Sequence, residues 1–336
     1  MGIGARIGDY VIEGEVEISP GDPNHEGALG LYEAVHRVLP RKVMLKVLQP
    51  HLVGVRPVAV QMLREACILE ALHHAGIPRV YECGVTTDRR PWVAIELVSG
   101  ASFDLEVRQR SVVIKDVVTL IENVADILAH AHSRGVVHRN LRPQTIVRDH
   151  DDRRGFPLCI TEWGDARTLD TSAPMESSEE VHYYRAPELL AGDPFDGRVD
   201  VFSLGVIAYE ALTGQLPSLP IARRCPMAPA KLTRLIDRML AVDPLTRPTA
   251  FEVADDVRDI GSTATIDFSI EPEGDSVVQP AEEIVLLTDL SREALPEPIR
   301  ERPRWTPPWA LKDRTAAVPE GGAPRTRRTR SVRDDT

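Results

Sequence analysis

The sequence has few cysteines and no long run of apolar residues. Its 336 residues include 4 cysteines, Cys67, Cys83, Cys159 and Cys225, which stand far apart and form no CxxC pair. This spacing argues against a zinc site or a disulfide framework and is typical of reduced thiols in a cytosolic protein. No stretch approaches the roughly 18 apolar residues of a membrane span, and the N-terminus lacks the apolar core of a secretory signal. We therefore expect a cytoplasmic protein without a membrane segment.

Positive charge is also in short supply. The 40 lysines and arginines are outnumbered by 51 acidic residues, which gives a net charge of −11. Such a balance excludes a chain-wide surface for nucleic acid, although it allows a local basic patch. We therefore expect no specific nucleic-acid partner. Hydrophobic residues make up 43% of the chain, enough for a sizeable core, and the length fits one large domain with a tail, or two domains.

Residues 138–146 give the first functional signal. They read His-Arg-Asn-Leu-Arg-Pro-Gln-Thr-Ile and follow an apolar helical run and a short turn. This stretch resembles the catalytic loop of protein kinases, H-R-D-L-K-P-x-N. The frame agrees in its length and in its His, Arg, Leu and Pro. The residues of the chemistry differ, because Asn140 replaces the catalytic Asp, Arg142 replaces Lys, and Thr145 replaces the metal-binding Asn.

Lys46 gives a second signal, since it lies within the β-rich run 43–48. Burying an unpaired ammonium is costly, so this lysine needs a partner. The run resembles the kinase strand V-A-I-K, and the resemblance implies that Lys46 holds the nucleotide phosphates and pairs with Glu65. Glu65 lies in residues 58–73, whose apolar spacing predicts an amphipathic helix. We expect this contact to form, and it could serve the nucleotide or be purely structural.

The resemblance implies further nucleotide contacts. Residues 17–32 stand where kinases have a glycine-rich loop over the phosphates. Gly27 and Gly30 occur there without the family spacing, and a plain loop between two strands is the alternative. Two strands are predicted after the helix, and the second would place Glu96 and Val98 at the hinge that contacts adenine.

The metal-binding segment is altered as well. Glu162 and Trp163 stand where kinases have the Asp and Phe of D-F-G, and the following Gly and x-Ala-Arg fix this alignment. Glu162 keeps the charge of a magnesium ligand but is longer by one methylene group. Thr145 offers a single neutral hydroxyl as the second ligand. The resemblance therefore implies ATP as a cofactor, and Mg²⁺ only through these two altered ligands.

The scaffold motifs agree closely with the family. Residues 182–188 are similar to Y-R-A-P-E, residues 197–214 resemble the central buried helix, and a later segment matches D-P-x-x-R-P. By this resemblance Glu188 pairs with Arg247, and backbone N–H groups of the catalytic loop bind the carboxylate of Asp200. The structural residues that it implies are His138, Arg139, Glu188, Asp200 and Arg247.

By these motifs the chain is identified as a member of the protein kinase superfamily, in the style of bacterial Hanks-type serine/threonine kinases. We expect an α+β, two-lobed kinase-like domain over 8–260, with a small β-rich N-lobe over about 8–98 and a mainly helical C-lobe over about 99–260. Residues 261–336 are acidic and then rich in proline and arginine, which predicts a disordered tail. That tail could bind anionic or phosphorylated partners, or only solubilise the chain.

The positions that differ from the kinase family are those of catalysis and metal binding, whereas the positions that agree with it are structural. Asn140 cannot serve as a base near neutral pH, and losing a positioned base typically removes about 10²–10⁴-fold of rate. We therefore predict a pseudokinase with weak or no phosphotransfer, a nucleotide-binding or scaffold module that works with a protein partner such as a kinase or signalling protein. The alternatives are an active but slow serine/threonine kinase with Glu162 on magnesium, and an adapter that binds no nucleotide and works through its tail.

Overall fold

An antiparallel sheet of six strands forms the N-terminal part of the protein. We describe the fold from a computed structural model, which describes residues 1–16, 27–109, 112–149, 154–168 and 183–264. Most of the predicted glycine-containing loop and nearly all of the predicted tail lie outside the described residues.

The bounds of the six strands follow the apolar runs of the sequence. They are Arg6–Ile7 (β1), Tyr10–Glu15 (β2), Leu29–His36 (β3), Lys42–Leu48 (β4), Val80–Val85 (β5) and Pro91–Glu96 (β6). The order across the sheet is β1-β2-β3-β4-β6-β5. β4 is covered on both faces, which explains why it is apolar almost throughout and does not alternate.

The two faces of the sheet pack differently, because successive side chains of a strand point to opposite sides. One face carries an apolar cluster of its own that includes Tyr10, Tyr32 and Trp92. The other face, with Leu31 and Val93, joins the main core of the protein. The cleft described below opens on this second face.

The predicted amphipathic helix is present as α1 (Arg56–Leu72). A proline in its first turn suits a helix start, since that position needs no hydrogen-bond donor. The helix ends where His73 adopts a left-handed conformation at φ 37°. It buries an apolar stripe against the sheet and brings Glu65 to the same face.

The remainder of the described chain is mainly helical. Its helices are α2 (Phe103–Gln109), α3 (Ile114–Ser133), α4 (Pro187–Ala191), α5 (Arg198–Thr213), α6 (Ile221–Arg224), α7 (Ala230–Met239) and α8 (Ala250–Ala264). Short strands complete it, namely β7 (Gly100–Ser102), β8 (Val136–Val137), β9 (Ile146–Asp149), β10 (Leu158–Ile160) and β11 (Arg167–Thr168). The predicted fold of a β-rich N-lobe and a helical C-lobe is confirmed.

Helix α5 is the centre of the C-lobe. Most of its side chains are buried, as expected of a helix that is apolar on all sides. It packs against α3 and α7, while α3 also packs against α8. The segment between Gly214 and α7 is short, and it forms only the single turn of α6. Within the described ranges, no helix is long and apolar enough to cross a membrane.

Candidate active site between the two lobes

A cavity of about 810 Å³ lies between the sheet and the helical lobe. This volume is within the range of roughly 300–1,000 Å³ that is usual for small-molecule sites. The nucleotide residues predicted from the strands and from α1 all reach it. Its lining includes Val16, Leu31, Met44, Lys46, Glu65, Leu69, Ile95, Glu96, Val98, Arg142, Val147, Thr161, Glu162 and Trp163.

The predicted contact between Lys46 and Glu65 is confirmed. Lys46 Nζ lies 2.7 Å from Glu65 Oε1 and 2.9 Å from Oε2. The two side chains are only 4% and 6% exposed. Such a pair ties α1 to β4, and both of its residues line the cavity. A buried pair of this kind is costly to break, because the remaining charge would have no partner.

The two glycines predicted to contact the nucleotide do not line this cavity. Gly30 lies within β3, where an added Cβ would be 2.6 Å from Tyr32 Oη, so close packing accounts for a glycine there. Gly27 lies at the turn before β3, with φ +74°. Residues 17–26 are outside the described part, and a phosphate contact by either glycine stays a prediction.

The carboxylate of Glu96 is held by the fold. It accepts a hydrogen bond from the backbone N–H of Arg79 at 3.1 Å and forms an ion pair with Arg154 at 2.9 Å. Arg154 also pairs with Asp149 at 2.8 Å. The charged turn before residue 155 was visible in the sequence, but nothing in it indicated that one of its arginines reaches the predicted hinge.

The frame of the catalytic loop is intact. The buried carboxylate of Asp200 accepts the backbone N–H of His138 at 2.8 Å and that of Arg139 at 2.7 Å, as predicted. His132 Nε2 lies 2.8 Å from the same carboxylate. Burial alone would raise the pKa of Asp200, but the bond with His132 and the surrounding donors outweigh it and hold this pKa below its ordinary value.

His138 connects the loop to the following segment. Its Nδ1 is 3.3 Å from the backbone N–H of Asn140, and its Nε2 is 3.1 Å from the carbonyl oxygen of Thr161. The ring also meets Trp163 edge-on, with centroids 4.7 Å apart. Burial lowers the pKa of His138, although the charge of Asp200 opposes that effect. A neutral imidazole with Nε2 protonated satisfies both hydrogen bonds.

Asn140 occupies the position of the catalytic base within this frame. The residue is buried at 8% exposure, and its backbone is fixed by the hydrogen bond to His138. An amide can accept or donate hydrogen bonds, but it cannot take up a proton near neutral pH. The loop therefore has the shape of a kinase loop and lacks the proton acceptor.

The residues predicted as magnesium ligands are both engaged elsewhere. Arg142 Nη2 lies 2.6 Å from Glu162 Oε2, a contact that the sequence did not reveal. The hydroxyl of Thr145 donates to the carbonyl of Arg142 at 2.9 Å and accepts its N–H at 3.2 Å. In the part of the chain that the structure describes, no group of three or more His, Cys, Asp or Glu could hold a metal ion. Mg²⁺ in sites of this kind is bound by one or two protein carboxylates together with phosphates, and here the one predicted carboxylate, that of Glu162, is already paired with Arg142.

The predicted scaffold pair below the site is confirmed. Arg247 contacts both oxygens of Glu188, at 2.6 Å and 3.3 Å. The guanidinium also donates to the carbonyls of Ala241 and Arg198. These bonds satisfy a fully buried arginine, which fits the role of a structural residue.

Comparison with known proteins also relates this chain to protein kinases. The protein kinase domain family matches residues 26–257. The chain is 33% identical over 194 residues to the serine/threonine-protein kinase PknJ of Mycobacterium tuberculosis, which covers 57% of this chain and 33% of that protein. It is 31% identical over 195 residues to the serine/threonine-protein kinase Pkn1 of Myxococcus xanthus, covering 57% and 28%. The chain thus spans about a third of the length of these relatives, or less.

A solved structure agrees in fold. The kinase domain of Mycobacterium tuberculosis PknI is 24% identical and superposes with a TM-score of 0.59, covering 77% of this chain and 99% of that domain. This likeness shows the same two-lobed fold. The chain therefore belongs to the protein kinase family, in its Hanks-type serine/threonine branch.

Proposed function

We propose that this kinase domain is a pseudokinase, which binds a nucleotide in its cleft and works through protein partners with weak or no phosphoryl transfer. The observation that carries the proposal is Asn140, a neutral amide held in the position of the base by an otherwise intact loop. The frame around it rests on Asp200, so the loop is formed and only its chemistry is changed.

Phosphoryl transfer needs positioned groups and neutralised charge more than covalent help from the protein. Loss of a positioned base alone costs about 10²–10⁴-fold in rate. Here the carboxylate and the hydroxyl predicted to bind metal are also bonded to Arg142. The loss is therefore spread over several parts of the site.

Nucleotide binding is supported by the part of the site that remains. The Lys46–Glu65 pair is formed and borders a cavity of suitable volume. In this proposal Lys46, which is held in place by Glu65, faces the negatively charged phosphates of ATP. The same pair is compatible with a slow but active kinase, so transfer has to be measured directly.

The test is transfer of radiolabelled phosphate from ATP to the protein itself and to a generic basic protein. We expect no incorporation above that of the Lys46→Met variant. Incorporation that is abolished by Lys46→Met would contradict the pseudokinase proposal and favour the slow kinase. A rise of the melting temperature with ATP is expected as well, and its absence at millimolar ATP would favour an adapter that binds no nucleotide.

Restoring the base gives a sharper test. Asn140→Asp is expected to recover little transfer activity, because the contacts of Arg142, Glu162 and Thr145 remain as they are. The same assay measures it, with Asn140→Ala as the matched control. Activity in Asn140→Asp close to that of an ordinary kinase would show that a single residue, and not a set, accounts for the loss.

A further inference from the structure

Helices α6 and α7 of the C-lobe carry four exposed basic residues, which we call the basic surface. Arg223 and Arg224 end α6, whereas Lys231 and Arg234 lie in α7, and α6 and α7 pack against each other. From residue 223 to residue 236 the chain has no acidic residue. Like charges three or four residues apart on a helix repel each other. An anionic group at this surface would therefore relieve that repulsion.

The neighbouring carboxylates are engaged with other groups. Asp237 of α7 accepts a backbone N–H of α6 at 3.2 Å. On the side of α8, Asp256 pairs with Arg238 at 2.8 Å. Within the described ranges, the four side chains of the basic surface form no ion pair, and Arg224 only approaches the hydroxyl of Ser218 at 3.4 Å. Four positive charges thus face the solvent without a compensating carboxylate from the described part of the chain.

The chain that follows α8 has the opposite charge. Residues 265–291, which we call the acidic segment, contain seven aspartates and glutamates and no lysine or arginine. Apolar residues stand between these acids, and Met227, which is 83% exposed, lies between the two halves of the basic surface along the chain. The acidic segment lies outside the described residues, so its location is inferred from its charge and its reach.

Helix α8 itself is an unfavourable place for the acidic segment. It carries Glu252, Asp255, Asp256 and Asp259 and only one basic residue, Arg258. Exposed charges affect one another within about a Debye length, roughly 8 Å at physiological salt. A segment of the same sign should therefore turn away from α8 and not fold back along it.

The basic surface is within reach of the acidic segment. Asp256 of α8 lies beside Arg238 of α7. Ala264 ends α8 eight residues after Asp256, and Lys231 stands seven residues before Arg238, which at about 1.5 Å per residue gives about 12 Å and about 10 Å. Packed helices add about 10 Å between their axes. Even if both helices lead apart, roughly ten extended residues of about 3.3 Å each span this distance. The acids from Asp275 onward therefore reach Lys231.

We propose that the acidic segment 265–291 binds the basic surface of the same chain, with its carboxylates facing Lys231, Arg234 and the two arginines of α6. A single exposed ion pair is weak. Several pairs act together here, and the covalent link holds the segment at an effective concentration in roughly the millimolar range. The contact does not depend on a nucleotide in the cleft. A partner that uses this surface has to displace the segment first.

The experiment is cross-linking of the full chain with a carbodiimide, which joins a lysine amine directly to a carboxylate in contact with it. A mixture of ¹⁴N- and ¹⁵N-labelled protein distinguishes links within one chain from links between two. We expect Lys231 to be joined to the acidic segment within one chain. Lys115, exposed at the start of α3, is the internal control and should not be joined to that segment.

Three results would overturn the proposal. One is the absence of a link between Lys231 and the acidic segment, or equal yields at Lys231 and Lys115. Another is a link that forms only between differently labelled chains, which would assign the surface to a second copy. The third is a link of the acidic segment to Lys312 in place of Lys231, which would show that the acids face the arginine-rich sequence that follows them.

Two double variants test the charge of the surface while both cross-linking groups remain. Arg224→Gln with Arg234→Gln should lower the yield at Lys231 by roughly threefold or more, because two of the four cations are lost. Salt at about 1 M should lower it as well, since the Debye length is then about 3 Å. The matched control is Arg56→Gln with Arg64→Gln, two exposed arginines of α1, which should keep the yield. Equal yields in the two variants would overturn the role of the basic surface.

Discussion

At the scale of single residues, His138 shows how the scaffold depends on a protonation state. Its two ring nitrogens are both used, one toward the N–H of Asn140 and one toward the carbonyl of Thr161. Burial lowers its pKa, with opposing effects from Asp200, Thr161, Asp165 and Glu162. An added proton on Nδ1 would remove the acceptor for Asn140.

This predicts a pH dependence of stability. Above the ordinary pKa of 6.5, neither the folded nor the unfolded chain binds a proton at His138. Below it the unfolded chain is protonated first, so this contribution to stability is lost as the pH falls from 6.5 toward the folded pKa. Burial lowers the pKa of His74 as well, and its effect has the same sign.

We expect the melting temperature to fall between about pH 7.5 and pH 5.5, and to fall less steeply in His138→Asn. The substitution keeps an acceptor and removes the group that titrates. His51→Asn, at an exposed position, is the matched control and should keep the slope of the unaltered protein. Equal slopes in all three proteins would show that His138 does not contribute.

Residue pairs differed in how far the sequence could reveal them. The partner of Lys46 was predicted because an isolated charge in an apolar strand requires an opposite charge, and a motif supplied it. The partner of Arg247 was implied by the resemblance to the kinase family alone. The pair of Arg142 and Glu162 was not predicted. Both are polar loop residues, and their contact depends on the left-handed backbone at Glu162, which periodicity does not indicate.

At the scale of elements, α3 and α5 meet where a glycine begins the helix. A Cβ at Gly197 would lie 2.5 Å from His132 Nδ1, and His132 in turn bonds to Asp200 at 2.8 Å. The approach of the two helices and the support of the catalytic loop therefore share one contact. The position accepts only a residue without a side chain unless the His132 ring moves.

Gly197→Ala is therefore expected to destabilise the fold by about 1–3 kcal/mol, as overpacked positions do. The measurement is unfolding in urea, with Gly14→Ala as the control. An added Cβ at Gly14 would meet no atom within 4 Å. That control should change stability by less than about 0.5 kcal/mol. Equal losses in the two variants would contradict the role assigned to the helix contact.

Elements with a strong period were well predicted from the sequence. The apolar helical run before the catalytic loop forms α3, Ile114–Ser133, and the expected central helix over 197–214 is α5, Arg198–Thr213. Short elements such as β7, β8 and β11 were not predicted, since two or three residues carry no measurable period. Their existence depends on partner strands distant in the sequence.

At the scale of the whole molecule, Arg154 joins the two lobes. Its guanidinium pairs with Glu96 of the sheet at 2.9 Å and with Asp149 of the C-lobe at 2.8 Å, and it donates to the carbonyl of Ala75 at 3.2 Å. The side chains of Arg154 and Asp149 are 7% and 4% exposed. The relative placement of the lobes behind the cleft thus depends on a buried charge.

Arg154→Met should cost about 3–5 kcal/mol in stability, because it leaves two carboxylates with less compensation in a buried place. The matched control is Arg238→Met. Arg238 pairs with Asp256 at the same distance of 2.8 Å, but the side chains are 52% and 45% exposed. That variant should cost less than about 1 kcal/mol. The free energy of unfolding of both variants is measured in urea. Similar losses of stability in the two variants would show that the burial of the Arg154 pair does not matter.

The two-lobed fold could be predicted because its motifs recur in order along the chain, and their contacts fix the lobes. The chemistry of the cleft could be predicted only in part. The replacement of the catalytic Asp by Asn140 is visible in the sequence itself. The ion pair of Glu162 with Arg142 is not, because it depends on where the long arginine side chain lies in the folded protein. The replacement of a base can be seen from a residue type, but the pairing of a carboxylate with a distant side chain can be seen only from distances.

The support of the catalytic loop by Asp200 has a further consequence. Asp200 holds the loop through the backbone N–H groups of His138 and Arg139. These hydrogen bonds do not involve the side chain at position 140. Superposing backbones would group this chain with active enzymes. A substitution at position 140 can therefore change the chemistry of the loop and leave the two bonds that Asp200 accepts in place, so the position of the loop and its activity can change separately.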